Sequence, residues 1–253
     1  MNEAKWLAAE RPAPLLRFAW DLAGERKRRL FAAACCRRVA HLFSAAPFRA
    51  AVTLAERVAA GRADEAAGRE AALAALRGVS HGTYRSILGV GVARALADPL
   101  DYPQLHAAAA NLAAGVAWRK VPAAAPPEPQ YGGTTRTPGS PDPRWRRVRD
   151  EELRWQAAVL RDIVGNPFRR LVTDPSWITS TVTLLAVGIS EDGAFDRLTV
   201  LADALQDAGC EEEQLLGHLR GPGPHVCGCW VVDALFGKAD ALGIGPPSPA
   251  SRG

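Results

Sequence analysis

The spacing of apolar residues along most of the chain follows the period of an α-helix. Ala, Leu, Val and aromatic residues recur at intervals of three and four positions, and Gly or Pro interrupts the pattern. Residues that favour strands are scarce, since Ile and Val together number 23 against 48 Ala. The pattern predicts an all-α fold, an irregular bundle or array of roughly ten helices.

The predicted helices end where Gly or Pro breaks the period, as at Gly165 and Gly209. Adjacent Val231 and Val232 leave the closing element at 226–236 open between helix and strand. The remaining helices are predicted at 14–22, 25–43, 48–60, 64–77, 83–97, 102–119, 146–164, 177–190, 194–208 and 211–219.

The chain divides into two predicted helical segments of opposite charge. Residues 1–120 hold 18 basic and 10 acidic side chains, and residues 145–242 form an acidic segment. Between them, 121–144 is rich in Pro and Gly and has no helical period, so we predict a flexible linker. The tail at 243–253 is predicted to be disordered. The opposite charges predict that the two segments attract each other, and a nucleic-acid partner for the basic segment is the alternative.

The chain lacks the features of a membrane or secreted protein. Its longest uncharged stretches, Tyr102–Trp118 and Pro175–Ser190, are shorter than the ~20 apolar residues that a membrane helix needs. The first eleven residues lack the apolar run of a signal peptide. Five cysteines, two of them adjacent, do not suit a disulfide framework. We therefore expect a cytoplasmic protein with free thiols and no membrane partner.

The densest group of possible metal ligands lies near the end of the second segment. Thiolates and imidazoles are the ligands that zinc takes in tetrahedral sites, usually in pairs spaced C-x2-4-C and H-x3-5-H. The spacing here is C-x7-H-x6-H-x-C-x-C, which fits that pattern poorly. The sequence therefore predicts no metal and no other cofactor, and small buried thiols are the favoured interpretation. The weak candidates are Cys210, His218, His225, Cys227 and Cys229.

A second candidate cluster lies on the helix predicted at 25–43. Arg38 falls inside the apolar arc of this helix, and Arg37 and His41 are its neighbours. The cluster is either a site for an anionic ligand or part of an interhelical ion pair, and the ion pair is favoured. We expect Arg38 to be buried and paired with Asp233, Asp203 or Glu152, and Glu152 is the best candidate because it lies in the apolar arc of its own helix.

One short motif resembles a hydrolase signature. Ser80 lies in a G-x-S-x-G sequence, which in a nucleophile elbow follows a strand. The residues before it are strong helix formers, so a glycine-rich turn between helices is the favoured interpretation. We therefore predict no catalytic residue.

Four segments carry a resemblance to a known group of proteins. They are CCRR within 29–43, GNPFR at 165–169, AFDRLTVLADALQDAGC at 194–210 and HVCGCWVVDALFGK at 225–238. The chain resembles a family of uncharacterised bacterial proteins with many paralogues in single genomes. The resemblance implies an opening helix at Glu3–Leu7 and, commonly, a basic residue at the position of Cys227. It implies no activity.

The function that these observations favour is a non-enzymatic helical scaffold or protein-interaction module, with another protein as partner. Two helical segments joined by a polar linker offer surfaces but no convergent catalytic set. A metal-dependent or serine enzyme is one alternative. A nucleic-acid-binding protein is the other, and it would use the basic residues Arg26, Lys27, Arg28, Arg29, Arg37 and Arg38.

Overall fold

A computed structural model describes residues 1–40, 46–77, 102–121, 140–169, 171 and 173–237. Within these ranges the regular structure is helical and no strand is present, which confirms the all-α prediction. Two 3-10 turns lie at Pro175–Trp177 and Phe195–Arg197. The α-helices are α1 (Glu3–Ala8), α2 (Pro12–Ala19), α3 (Gly24–Val39), α4 (Ala46–Ala59), α5 (Glu65–Arg77), α6 (Tyr102–Lys120), α7 (Pro143–Val164), α8 (Ser180–Asp192), α9 (Leu198–Asp207), α10 (Glu213–Leu219) and α11 (Trp230–Leu235).

The first compact unit comprises Ala9–Ala157. Helix α3 packs on α4 and α6, α5 packs on α4, and α2 packs on α6. The face of α3 that the period predicts is buried, and alanines let the helices approach closely. The large buried side chains of the first unit include Leu15, Leu30, Phe31, Phe48, Leu112 and Trp145.

The second unit comprises Met1–Ala8 and the chain from Ala158 onward. Helix α9 packs on α8 and α10, and α11 packs on the same two helices. Its core is apolar and contains two cysteine thiols, those of Cys210 and Cys229. None of the five cysteines, all of which lie in the described part of the chain, forms a disulfide, as expected. Other core side chains are Val182, Ile189, Leu198, Leu201, Leu205, Leu215, Leu219, Trp230 and Val231.

The structure moves two helix starts toward the C-terminus relative to the sequence prediction. A 3-10 turn begins at Pro175, where the Asp174 side chain accepts a hydrogen bond from the Ser176 N–H. Thr179 then caps α8 by accepting from the Val182 N–H at 3.3 Å. A second 3-10 turn precedes α9. These local caps take the backbone donors that a longer helix would use.

The closing element, which the sequence left open, is helical at Trp230–Leu235. The opening helix implied by the family resemblance is present as α1. Several features predicted from the sequence lie outside the described residues. They are the helix at 83–97, Ser80, His41, most of the linker and the tail at 243–253.

None of the helices within the described part of the chain has both the length and the apolar character needed to cross a membrane.

Arg38 and Glu152 form the ion pair that the sequence predicts, inside the first unit. Arg38 Nε donates to Glu152 Oε2 at 2.8 Å, and the Arg38 guanidinium lies 4.3 Å from the ring centre of Trp155. The Glu152 side chain is 4% exposed, but that of Arg38 is 39% exposed. The prediction that Arg38 is buried is therefore wrong, because stacking on Trp155 lets its long side chain reach Glu152 from the surface.

The end of α7 depends on a glycine in the second unit. Gly165 has a φ of +79°, and its N–H donates to the Arg161 carbonyl at 2.8 Å. A Cβ at this position would lie 3.0 Å from Cγ of Trp230, closer than side chains normally approach. Only glycine therefore permits both the left-handed turn and the contact with Trp230.

We expect Arg38→Ala to lower the free energy of unfolding by about 2 kcal/mol, because it leaves the Glu152 carboxylate buried without its partner. The half-exposed Arg38 keeps the effect below that of a fully buried pair. Arg57→Ala is the matched control, because Arg57 is an exposed arginine of α4. Equal urea midpoints for the two variants would contradict the prediction.

We expect Gly165→Ala to destabilise the protein more than Gly209→Ala does. Both glycines have positive φ, so each substitution costs ~1 kcal/mol of backbone strain, but no atom lies within 4 Å of the Cβ position at Gly209. Overlap with Trp230 adds about 1 kcal/mol or more at Gly165. Thermal unfolding of the two variants measures the difference, and identical melting temperatures would refute the argument.

Candidate metal centre

Four side chains that can bind a metal meet within the second unit. One ligand atom from each of Asp162, His218, His225 and Cys229 lies within 4.8 Å of the other three. They come from the last turn of α7, the last turn of α10, the loop after α10, and the residue that precedes α11. The fold therefore gathers from distant positions a set that no single stretch of the sequence contains.

Helix α7 presents Asp162 from a buried turn. The neighbouring Ile163 and Val164 are buried, and the Asp162 side chain is 2% exposed. Asp162 Oδ2 accepts a hydrogen bond from the Val226 N–H at 2.9 Å. The carboxylate is thereby fixed in orientation, with Oδ1 directed at the two histidines.

The loop between α10 and α11 brings His225 to Asp162. The turn of this loop needs Gly223, which has a φ of +75°. A Cβ at Gly223 would lie 2.9 Å from the backbone nitrogen of His225. His225 Nδ1 lies 2.9 Å from Asp162 Oδ1, and Nε2 lies 3.3 Å from the Gly221 carbonyl oxygen. Since a carbonyl can only accept, Nε2 carries a proton and Nδ1 is the atom that faces the cluster.

His218 stands between the carboxylate and the thiol. Its Nε2 lies 3.0 Å from Asp162 Oδ1 and 3.2 Å from Cys229 Sγ. Its ring packs edge-on against that of His225, with ring centres 4.9 Å apart, and lies 5.2 Å from the Trp230 ring centre. These contacts fix the ring with one nitrogen at the centre of the cluster.

Cys229 lies in the core at the start of α11 and is fully buried. Burial raises the pKa of its thiol, as does the negative charge of Asp162. The Val232 and Val231 N–H groups oppose that shift, but the pKa stays well above its ordinary value. A cation at the cluster would remove the remaining cost, because a thiol that coordinates a metal is deprotonated.

The buried, negatively charged carboxylate of Asp162 needs a positive charge beside it. Burial raises the pKa of this carboxyl group, but hydrogen bonds from His218 and His225 outweigh it, so the pKa lies below its ordinary value. Burial lowers the pKa of His225, and the hydrogen bond and charge of Asp162 turn the net shift upward. The buried carboxylate is therefore neutralised either by protons on the imidazoles or by a metal ion.

The geometry does not suit a cysteine nucleophile. In such a site the base accepts from the thiol through one ring nitrogen and is oriented by a carboxylate or amide through the other. Here the same atom, Nε2 of His218, faces both Asp162 and Cys229. The thiol is also buried and has a raised pKa, whereas reactive cysteines are partly exposed and have a lowered one.

The donor set fits a transition metal. Thiolate and imidazole are ligands of zinc and of related ions, and a carboxylate oxygen is a common third type. The orienting bonds from Val226 to Asp162 and from His225 to Gly221 are those that metal-binding residues make outside the coordination sphere. Asp162, His218 and His225 also line a cavity of about 390 Å³.

The structure divides the five weak candidates of the sequence into two groups. His218, His225 and Cys229 belong to the cluster, whereas Cys210 packs in the apolar core and Cys227 is not part of the set. The basic residue that the family resemblance implies at the position of Cys227 therefore has no bearing on this centre.

Asp162 is not among the residues to which the ligand pattern of the sequence points. The signal that could have found it is its position on α7, seven residues after Trp155 and so at the edge of the apolar arc. An acidic residue there faces desolvation, as Glu152 does on the same helix. Glu152 has an arginine partner, whereas the partners of Asp162 are the two histidines.

Two of the three residues of the second candidate cluster, Arg37 and Arg38, lie in the described part of the chain. Arg37 binds Glu56 through two hydrogen bonds, and Arg38 binds Glu152, so the two guanidinium groups have different carboxylate partners. His41 lies outside the described residues. This arrangement favours ion pairs over an anionic-ligand site at Arg37, Arg38 and His41.

The other basic residues of α3 are also engaged within the first unit. Lys27 is 1% exposed, and Arg26 donates to the Ala59 carbonyl. Arg28 donates to the Gly24 carbonyl, and Arg29 pairs with Glu25. These contacts give the nucleic-acid alternative no support, because a phosphate-binding surface needs exposed basic side chains.

Comparison of the chain with protein-family models, with curated proteins and with solved structures finds no match.

Proposed function

We propose that this protein binds a zinc ion through Asp162, His218, His225 and Cys229. The observation that carries the proposal is the convergence of their four ligand atoms within 4.8 Å inside a buried part of the second unit. A carboxylate and a thiolate together balance the two charges of Zn²⁺ when both imidazoles are neutral. The complex is then electrically neutral, which suits a buried position.

Zinc is favoured over hard cations by the chemistry of the donors. Magnesium and calcium take oxygen ligands, whereas this set contains one sulfur and two nitrogens beside a single carboxylate. Three pairs of ligand atoms lie 2.9, 3.0 and 3.2 Å apart and all four atoms lie within 4.8 Å of one another, so modest shifts would bring them to the edges of a zinc tetrahedron.

The ion would join three segments of the second unit. The loop 220–229 carries two of the four ligands and is short of regular structure, so coordination would fix it to α7 and α10. This proposal departs from the sequence prediction of no metal and of a non-enzymatic scaffold or interaction module. That scaffold and its protein partner stay predictions, as does a cytoplasmic location.

We expect protein purified without a metal-affinity tag to contain one zinc per chain by elemental analysis. Cys229→Ser and His218→Gln should each lose most of it, because removing one of four ligands weakens zinc binding strongly. Cys227→Ser is the matched control, since Cys227 is two residues away and outside the set. Zinc content that is absent in the wild type, or equal in all variants, would refute the proposal.

We expect removal of zinc to destabilise the second unit. A ligand present at a hundred times its dissociation constant stabilises the folded state by ~2.7 kcal/mol, so a chelator should lower the melting temperature by several degrees. Added Zn²⁺ should restore it, and Mg²⁺ should not. A melting temperature that neither chelator nor Zn²⁺ changes would contradict a metal linked to folding.

A further inference from the structure

The most accessible cysteine of the chain lies next to the candidate centre. Cys227 is half-buried, whereas Cys35, Cys36, Cys210 and Cys229 are buried, and all five lie in the described part of the chain. Cys227 is not one of the four ligands, but it precedes the ligand Cys229 by two residues. A small reagent in solution therefore meets the thiol of Cys227 before it meets the buried thiols.

A tight turn joins Cys227 to Cys229. The Cys229 N–H donates to the Val226 carbonyl at 3.0 Å, and Gly228 between the two cysteines has a φ of +89°, as in a type II turn. Two peptide links limit the separation of the two cysteine Cα atoms to about 7.6 Å, and the bend of the turn shortens it. Disulfides usually join Cα atoms about 4.4–6.8 Å apart. The turn therefore keeps the two cysteines near the separation that a disulfide bridges.

We propose that Cys227 and Cys229 form an oxidation site for hydroperoxides, at which formation of a disulfide releases the zinc ion. The proposal rests on the proposed zinc site and deepens it, because it adds a regulation of zinc binding. Oxidation of Cys229 leaves the ion with Asp162, His218 and His225. Loss of one ligand of four weakens zinc binding strongly, so the disulfide acts on the ion as a substitution of Cys229 would.

The oxidation proceeds in two steps and uses one hydroperoxide, such as hydrogen peroxide. The Cys227 sulfur attacks a peroxide oxygen, so that an S–O bond forms, the O–O bond breaks and water leaves with the thiol proton, which gives a sulfenic acid. The Cys229 sulfur then attacks the Cys227 sulfur with the electron pair that it shared with zinc. The S–S bond forms, the zinc–sulfur and S–O bonds break, and the departing hydroxide takes a proton from solvent. The two sulfurs lose two electrons, and the peroxide is reduced to two molecules of water.

Hydrogen peroxide added to the zinc-loaded full chain tests the proposal, with a chromogenic zinc chelator to measure the released ion. The wild type should release its zinc. The peptide that contains Cys227 and Cys229 should lose about 2 Da, the mass of the two hydrogens removed when a dithiol becomes a disulfide. Treatment with dithiothreitol followed by Zn²⁺ should restore the zinc content.

Cys227→Ser is the decisive variant, because it keeps all four ligands. It should bind zinc as the wild type does, and peroxide should release the ion about tenfold more slowly or less. Cys210→Ala is the matched control, since it removes a thiol of the same unit that is outside the ligand set, and its zinc release should equal that of the wild type.

Three outcomes overturn this inference while zinc content before oxidation stays at one per chain. They are retention of zinc by the wild type in peroxide, equal release rates in Cys227→Ser and the wild type, and the absence of a disulfide between Cys227 and Cys229. Absence of zinc from the untreated wild type overturns the proposed function, and the inference with it.

Discussion

The buried carboxylate of Asp162 is the constraint on which the candidate centre depends. At 2% exposure it has lost its hydration, and an isolated charge in such a place is unstable by many kcal/mol. The second unit meets this requirement with a backbone N–H from Val226 on one oxygen and two imidazoles on the other. The path of the loop 220–229, with its turn at Gly223, follows from bringing His225 and Val226 to that carboxylate.

Helical periodicity predicts most of the fold because it reports which face of each element is buried. The face of α9 with Leu198, Leu201 and Leu205 is a clear case, and all three side chains are 0–1% exposed. The start of α8 is different, because capping by Thr179 and the 3-10 turn at Pro175–Trp177 depend on side-chain hydrogen bonds. Periodicity does not register such local competition for backbone donors.

The candidate centre could be predicted only in part, for a physical reason. Rules on ligand spacing describe pairs of like ligands on one turn or hairpin, whereas here the loop 220–229 contributes one histidine and one cysteine as ligands, and His218 lies on α10. The fourth group, Asp162, precedes His218 by more than fifty residues and belongs to another helix. Residue type pointed to the right side chains, but only the tertiary fold separates Cys229 from Cys227 and adds the carboxylate.

Protons and a metal ion would neutralise the cluster in different ways. A proton on His225 balances the charge of Asp162 but leaves Cys229 as an uncharged thiol beside Nε2 of His218. A single divalent ion satisfies the carboxylate, the thiolate and both ring nitrogens at once. It also accounts for the Nε2 proton of His225 facing the Gly221 carbonyl, which leaves Nδ1 available as a donor to the ion. The proposed ion would thus engage all four ligand atoms, whereas a proton on His225 engages the carboxylate alone.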